Sequence, residues 1–343
     1  MVRRILWALL ALTPVVLVAR YVLHLDETTL FVLAALALIP LAWLIGEATE
    51  HAAEHTGAGV GGFLNASFGN APELIIALFA VADGLPGVVR GSLTGSVVSN
   101  ILLVLGAAMI AGGEGPIDAR SLRWQLAAVL GAVALFLITS VPAWSNGSSE
   151  RHSLFVLSIP ISIVLLAAYL AITVRNLRIH RAAEREEAGE HAWSLRRSIG
   201  LLAVATVATA FVSEILVHSL DHFGKSVGLN EFFIAVVIVA IVGNAAEHGG
   251  AIVIARRGNT TLATEIAVTS SMQVALFVTP AVCLLSWTVG RGLPLSFRAI
   301  EIVTMAAAAT FATFVIWDGR SKRWEGFLLA GAYGACVVAY ALA

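Results

Sequence analysis

Charged residues are scarce in this 343-residue sequence: Asp, Glu, Lys and Arg make up 13% of it, against about 25% in an ordinary soluble domain. Cysteine is scarcer still. Cys283 and Cys336 both fall inside apolar runs, which excludes a disulfide framework and leaves them as packing residues. The net charge of −1 carries no basic signal for a nucleic-acid partner, and none is expected. No small-x-small cleavage site closes the first apolar run before His24, so that run is expected to be a retained helix and not a leader. A zinc-hydrolase signature is also missing. Glu50-His51-Ala52-Ala53-Glu54-His55 places histidines four apart, but Ala52 stands where the general-base Glu of HExxH would be. His51, His55 and His248 are read as polar packing or proton-relay groups.

What is abundant is apolar surface, at 59% of residues, more than a soluble fold of this size could hide. Residues 5–23, 29–54, 60–83, 87–112, 121–141, 153–175, 197–220, 229–255, 260–288, 295–316 and 323–342 are each long enough to cross a bilayer core as a helix, which takes about 20 residues. The expectation is an all-α membrane protein with eleven transmembrane helices. With the N-terminus cytoplasmic, 15 of the 21 Lys and Arg residues fall on inner segments, and that bias supports the orientation and the odd count.

The longest polar stretch, 176–196, has six spans before it and five after. Across it a pattern recurs at a spacing of 174 residues: Asn70 with Asn244, Glu73 with Glu247, Ser96 with Ser270. The chain therefore divides into an N-terminal helix (1–28), a first five-helix repeat (29–175), a linker of mixed acidic and basic character (176–196) and a second five-helix repeat (197–343). Five is odd, so the second repeat enters the membrane from the opposite side. That is the inverted-repeat plan of many secondary transporters, with an ion site near the midplane where the repeats meet.

Gly69-Asn70-Ala71-Pro72-Glu73 and Gly243-Asn244-Ala245-Ala246-Glu247 lie deep within apolar runs. A carboxylate there costs roughly 2.5–3.5 kcal/mol on insertion scales, more than packing alone justifies. Asn and Glu three apart share a helix face, and Asn70, Glu73, Asn244 and Glu247 together offer hard oxygen donors of the kind calcium takes. Pro72 cannot donate to the carbonyl of Phe68, so that helix is expected to bend or open, with freed carbonyls facing the site. Ala246 replaces Pro72 in the second motif, so the first half is expected to be the more broken. The following helices add Ser96, Ser99 and Asn100, and Ser270 and Gln273, as a secondary polar shell or as interhelical packing groups. Glu50 and Glu214 read as vestibules or gates on opposite membrane faces, or as interfacial residues snorkelling to headgroups. Glu47 and Glu54 share a face with Glu50, which makes the inner mouth negative. Residues 184–190 read as a solvated linker helix or a calcium-sensing segment.

At these residues the sequence resembles the calcium/proton exchangers of the CAX family, within the cation/calcium exchanger superfamily. Gly62-Phe63-Leu64-Asn65-Ala66-Ser67-Phe68-Gly69-Asn70-Ala71-Pro72-Glu73-Leu74-Ile75 is similar to the family's first signature, and Val242-Gly243-Asn244-Ala245-Ala246-Glu247-His248 to its second. Gly95-Ser96-Val97-Val98-Ser99-Asn100 and Ser270-Ser271-Met272-Gln273-Val274-Ala275-Leu276-Phe277 resemble the helices after them. The resemblance implies antiport of cytoplasmic Ca2+ against H+, an eleven-helix fold and a calcium site at Asn70, Glu73, Asn244 and Glu247. It implies no cofactor, Ca2+ being the cargo. Sodium/calcium exchangers of the superfamily usually carry Ser or Thr at the places of Asn70 and Asn244, which favours protons as counter-ion.

A carboxylate neutralises a divalent ion or holds a proton, but does not do both well at once, so competition at Glu73 and Glu247 would couple the fluxes. The alternatives are a sodium-coupled or broad-specificity divalent antiporter, a passive channel and, from another class, an intramembrane metal-dependent hydrolase. The Ala- and Arg-rich composition, without the long N-terminal extension of plant and fungal members, points to a prokaryotic plasma membrane. The expected partners are the two ions and the lipid bilayer; a homo-oligomer is left open.

Overall fold

A bilayer core offers no water to backbone N–H and C=O groups, so an apolar chain that crosses it must satisfy them internally. The structure, a computed structural model, describes residues 2–147, 150–180, 193–290 and 292–343, the side chains of 2, 57–63, 65–66, 146 and 176–180 excepted. Its helices in chain order are α1 (Val2–Leu9), α2 (Leu12–Tyr21), α3 (Glu27–Phe68), α4 (Ala71–Ala82), α5 (Pro86–Val98), α6 (Leu105–Gly112), α7 (Ala119–Asn146) and α8 (His152–His180). There follow α9 (Leu195–Val227), α10 (Glu231–Phe233), α11 (Ala240–Gly243), α12 (Ala245–Arg256), α13 (Thr260–Gln273), α14 (Thr279–Leu285), α15 (Ala299–Val315) and α16 (Arg323–Ala341). Three π-helical turns, Ser99–Val104, Ile234–Val239 and Val274–Val278, continue helices without a break. Helix starts carry short polar caps: Asp118 accepts from the backbone of Ser121, Asn230 from Phe233 and Asn259 from Leu262.

The chain is an all-helical membrane protein. Among the described residues eight helices are long and apolar enough to span, nine if the pair Glu231–Gly243 and Ala245–Arg256, bent by 57°, is one span. Two of the eleven expected spans are shortened, for identifiable reasons. The expected span 60–83 is interrupted at Asn70, which leaves α4 with 12 residues, while α3 runs on unbroken to Phe68. The expected span 295–316 begins only at Ala299, because Leu293–Phe297 is buried but not helical.

That non-helical segment is satisfied by side chains of its neighbours. Ser286, Ser158 and Ser140 accept from the N–H groups of Leu293, Leu295 and Phe297 at 2.8–2.9 Å. Thr139 and Trp144 donate to the carbonyls of Leu295 and Phe297. A second departure from all-helix is a two-stranded antiparallel pairing of β1 (Gly115–Pro116) with β2 (Arg320–Ser321). Gly113 at φ 74° and Pro116 stop helix there, and the two loops satisfy each other's backbone. Of the linker at 176–196, residues 181–192 lie outside the described residues.

The most extensive helix pair is α3 with α9. Thr28 bonds Ser226 and Phe31 stacks on Phe223 at 4.2 Å, whereas His55 bonds the carbonyl of Trp193, so the two run antiparallel. Large apolar side chains such as Trp124, Ile163, Val204, Val303 and Phe314 stay exposed on the outer surface. Helix α5 lies at the centre, with every residue from Val88 to Val98 buried. Gly95 lets it approach Ile234–Val239: a methyl at Gly95 would stand 2.0 Å from the carbonyl oxygen of Val236. Gly106 and Gly326 bring α6 and α16 together in the same way, each facing the other's carbonyl oxygen within 2.8 Å.

Because the group facing Gly95 is backbone, it cannot turn aside. Gly95→Ala is expected to destabilise the detergent-solubilised protein by about 1–3 kcal/mol or more. Gly131→Ala, with nothing within 4 Å, is expected to leave stability unchanged or raised by up to about 1 kcal/mol. Thermal midpoints measured side by side decide it; equal midpoints would mean the contact is not tight.

Candidate ion-binding site

Both Asn residues of the paired motifs stand at helix breaks with nearly the same backbone: Asn70 at φ −99°, ψ 16° and Asn244 at φ −96°, ψ 7°. Each is the N-cap of a new helix, and Glu73 and Glu247 occupy the third position of α4 and α12. The positive end of a helix dipole favours a carboxylate there. Neither Asn side chain caps its own helix. The amides are turned to tertiary partners instead.

The backbone at the two Asn residues matches although Ala246 stands in the place of Pro72, which sits in the first turn of α4, where a missing N–H costs least. The first interruption takes two residues, Gly69 and Asn70, and the second takes one, Asn244. In the second motif the carbonyl of Ala240 is not left open. Asn244 takes it with both its backbone N–H and its side-chain Nδ2, at 3.3 and 2.9 Å.

The two motifs meet across the centre of the molecule. A methyl placed on Gly243 would lie 3.5 Å from Cγ of Glu73 and 3.7 Å from its Oε1. Glu73 is buried, and its Oε2 has no hydrogen-bond partner among the described residues. It borders a small cavity of about 10 Å³, lined also by Ile76, Ser92, Leu93, Ser96, Val239, Ala240 and Gly243. Glu247 is half-buried and accepts a hydrogen bond from the hydroxyl of Ser270.

Around these carboxylates runs a network of amides and hydroxyls. Asn244 donates to Ser96 Oγ at 2.7 Å and accepts from Asn100 at 3.1 Å. Asn100 also donates to Ser270 at 3.2 Å, and its Oδ1 bonds Nε2 of His248 at 3.1 Å. On the other side Asn70 donates to Gln273 Oε1 at 3.1 Å, and Gln273 donates to the hydroxyl of Tyr169 at 3.4 Å. The π-helical turns Ser99–Val104 and Val274–Val278 begin within one residue of the 174-residue spacing and lie immediately after these polar groups.

The structure thus brings together Asn70, Glu73, Asn244, Glu247, Ser96, Asn100, Ser270 and Gln273. Ser99 is not joined to them: its hydroxyl bonds the carbonyl of Ser96 on its own helix. Glu50 and Glu214 are exposed and lie away from the cluster, on α3 and α9. His51 and His55 pack on Trp193 instead. Carboxylate and amide oxygens are the donors that hard cations take. Sequence reasoning did not single out Ser92 or Tyr169. A helical spacing of four could have marked them, since Ser92 lies one turn before Ser96 on α5 and Tyr169 one turn before Thr173 on α8.

Removing Asn100 strips partners from Asn244, Ser270 and His248 together. Asn100→Ala is expected to lower stability by about 1–3 kcal/mol, whereas Ser99→Ala, which loses one bond to its own helix, stays below about 1 kcal/mol. Equal thermal midpoints of the two variants in detergent would refute this ranking.

Comparison with known proteins meets this geometry. The family model described as "Sodium/calcium exchanger protein" matches residues 27–178 and 197–341. The Ca(2+)/H(+) antiporter ChaA of Bacillus subtilis (strain 168) is 38% identical over 353 residues, covering 99% of this chain and 99% of that protein. The Ca(2+)/H(+) antiporter of Aphanothece halophytica is 36% identical over 352 residues, covering 96% and 94%. The solved structure of native YfkE is similar with a TM-score of 0.85 at 34% sequence identity, covering 98% of this chain and 100% of that one. On the strength of both matched segments and these near full-length relatives, the chain belongs to the sodium/calcium exchanger family of membrane transporters, and is not an enzyme.

Proposed function

We propose that this protein exports cytoplasmic Ca2+ in exchange for H+, with Glu73 and Glu247 alternating between ligating the ion and holding protons. One observation carries the reading: two carboxylates, one from each motif, stand at the first turns of two interrupted helices, and Glu73 of the first lies against Gly243 of the second in the apolar centre of the bundle. Two carboxylates balance one Ca2+ or two protons, and leave no net charge in the bilayer centre in either state. Asn70 and Asn244 complete the proposed ligand set through their amide oxygens, while Ser96, Asn100, Ser270 and Gln273 form the shell that orients them. The names of the relatives, Ca(2+)/H(+) antiporters, support protons as the counter-ion.

The proposed transport cycle is alternating access between two inverted repeats, 29–175 and 197–343. Three observations support that division. The two segments matched by the family model straddle the linker. The first helices of the repeats, α3 and α9, run antiparallel. The π-helical turns recur at the motif spacing. Eleven crossings with a cytoplasmic N-terminus follow if the eight long helices, the bent pair and the shorter α4 and α15 all cross. Glu50 and Glu214, exposed on α3 and α9, are proposed as acidic approaches to the site from opposite faces. The proposed location is a prokaryotic plasma membrane.

In sodium-free proteoliposomes an imposed Ca2+ gradient is expected to move protons, read with a trapped pH dye, and Glu73→Gln or Glu247→Gln to abolish that movement without loss of protein. Robust exchange by both variants would sink the assignment. A requirement for sodium would instead favour the sodium-coupled alternative.

Competition also fixes a pH dependence. Protons and Ca2+ share the carboxylates, so the half-saturating Ca2+ concentration is expected to rise as pH falls. The slope approaches about tenfold per pH unit for each proton displaced. A half-saturation independent of pH from 6 to 8, on the order of the range such assays span, is incompatible with shared carboxylates.

A further inference from the structure

Where α6 gives way to α7 and α15 to α16, one end of the bundle gathers arginines that no carboxylate holds. The β1–β2 pairing ties the two loops together, setting Pro116 opposite Arg320, and Ile117 donates to the carbonyl of Gly319 at 3.0 Å. Arg120 and Arg123 stand in the first turns of α7, and Arg323 opens α16, where a methyl on Gly113 would lie 3.3 Å from its Nε. Among the described residues none of Arg120, Arg123, Arg320 and Arg323 forms an ion pair. The acids beside them have other tasks: Asp318 and Glu325 both bind Lys322, and Asp118 caps α7. Arg256 and Arg257 close α12 just before α13, whose Thr261 donates to the carbonyl of Pro116 at 3.0 Å. Seven basic side chains at this end thus stand against four acidic ones, Glu114 being the fourth.

The same end carries three exposed indoles, Trp124 at 71%, Trp317 at 62% and Trp324 at 58%. On an apolar bundle such rings settle at headgroup level, with the ring in the hydrocarbon boundary and the N–H toward water. The guanidinium groups beside them then lie at the depth of lipid phosphates. Arg123 is held ready for one. Its guanidinium carbon lies 4.8 Å from the centroid of the Trp317 ring, and its Nε donates to the carbonyl of Ala119 at 3.0 Å. The stem is fixed by these two contacts, and the Nη groups remain as the fork that matches two phosphate oxygens.

We propose that this end of the bundle binds the headgroup of an anionic phospholipid, with Arg123 and Arg320, joined through the loop that carries Trp317, meeting its phosphate. The surplus of positive charge selects an anionic headgroup over a zwitterionic one, which brings its own cation. The open indoles select a lipid over free phosphate, because they offer an apolar flank to the acyl chains. None of these residues belongs to the ion site, so the two assignments stand or fall separately.

Delipidated protein in detergent, given equimolar dioleoyl phosphatidylglycerol and dioleoyl phosphatidylcholine, tests the site by native mass spectrometry. Wild type is expected to retain phosphatidylglycerol preferentially. Its affinity relative to phosphatidylcholine is expected to fall about fivefold for each arginine removed in Arg123→Gln/Arg320→Gln. Arg175→Gln/Arg196→Gln, which removes two exposed arginines elsewhere, should keep the wild-type preference. Arg320→Gln alone, at an exposed side chain, provides the same reading should the double variant fail to fold. Equal retention of the two lipids by wild type overturns the proposal. So does an equal loss in the Arg175/Arg196 pair, which would mean general surface charge, or displacement of the lipid by millimolar inorganic phosphate, which would mean a site for free anions.

Discussion

A carboxylate in the middle of a bilayer is unfavourable by roughly 2.5–3.5 kcal/mol on insertion scales, and Glu73 with Glu247, one from each motif of an apolar bundle, impose this twice. Much of the surrounding structure answers that problem. Each Glu is placed in the first turn of a short helix, where unpaired N–H groups and the helix dipole favour negative charge. Ser270 gives its hydroxyl to Glu247. These groups soften the charge without cancelling it, and a divalent cation or a pair of protons is what completes the cancellation. In the proposed cycle, cargo binding is therefore part of what makes the apolar interior tolerable.

Breaking two helices at that depth creates a second demand, since every released backbone group must find a partner away from water. Asn serves here because one side chain offers both a donor and an acceptor. Asn244 covers the carbonyl of Ala240 with its nitrogen and receives Asn100 at its oxygen. The same logic governs the buried strap from Leu293 to Phe297, where Ser140, Ser158, Ser286, Thr139 and Trp144 replace a helix's own hydrogen bonds. Irregular backbone is confined to places where the bundle supplies such groups.

How far these features are legible in sequence depends on whether they repeat. Asn70, Glu73, Asn244 and Glu247 stand out because deep carboxylates are rare and these recur at a fixed spacing, and the structure brings all four motif positions to one centre. The first helix break was legible in Pro72, whereas the second, with Ala246 in that place, leaves only Gly243 as a sign in the sequence. Leu293–Phe297 reads as the start of a span because hydropathy reports burial and not backbone geometry. Tyr169 was invisible for a different reason. It shares a helical spacing with Ser158, Ser162 and Thr173 on α8, which reads equally as packing, and only the neighbour it meets, Gln273, tells it apart.

The remaining asymmetry of the site follows from one residue of register. Each repeat contributes one amide from the helix after its motif, Asn100 from the first and Gln273 from the second, but the position equivalent to Gln273 at the 174-residue spacing is Ser99. One residue along a helix turns a side chain by about 100°. Two backbones that match closely at Asn70 and Asn244 therefore receive their amide partners from different directions. Asn100 reaches Asn244, Ser270 and His248 and builds a closed network on the Glu247 side. Gln273 reaches Asn70 and Tyr169 and leaves the Glu73 side beside the cavity. The inequality of the half-sites is thus also a property of side-chain register, beside the longer interruption that precedes Pro72.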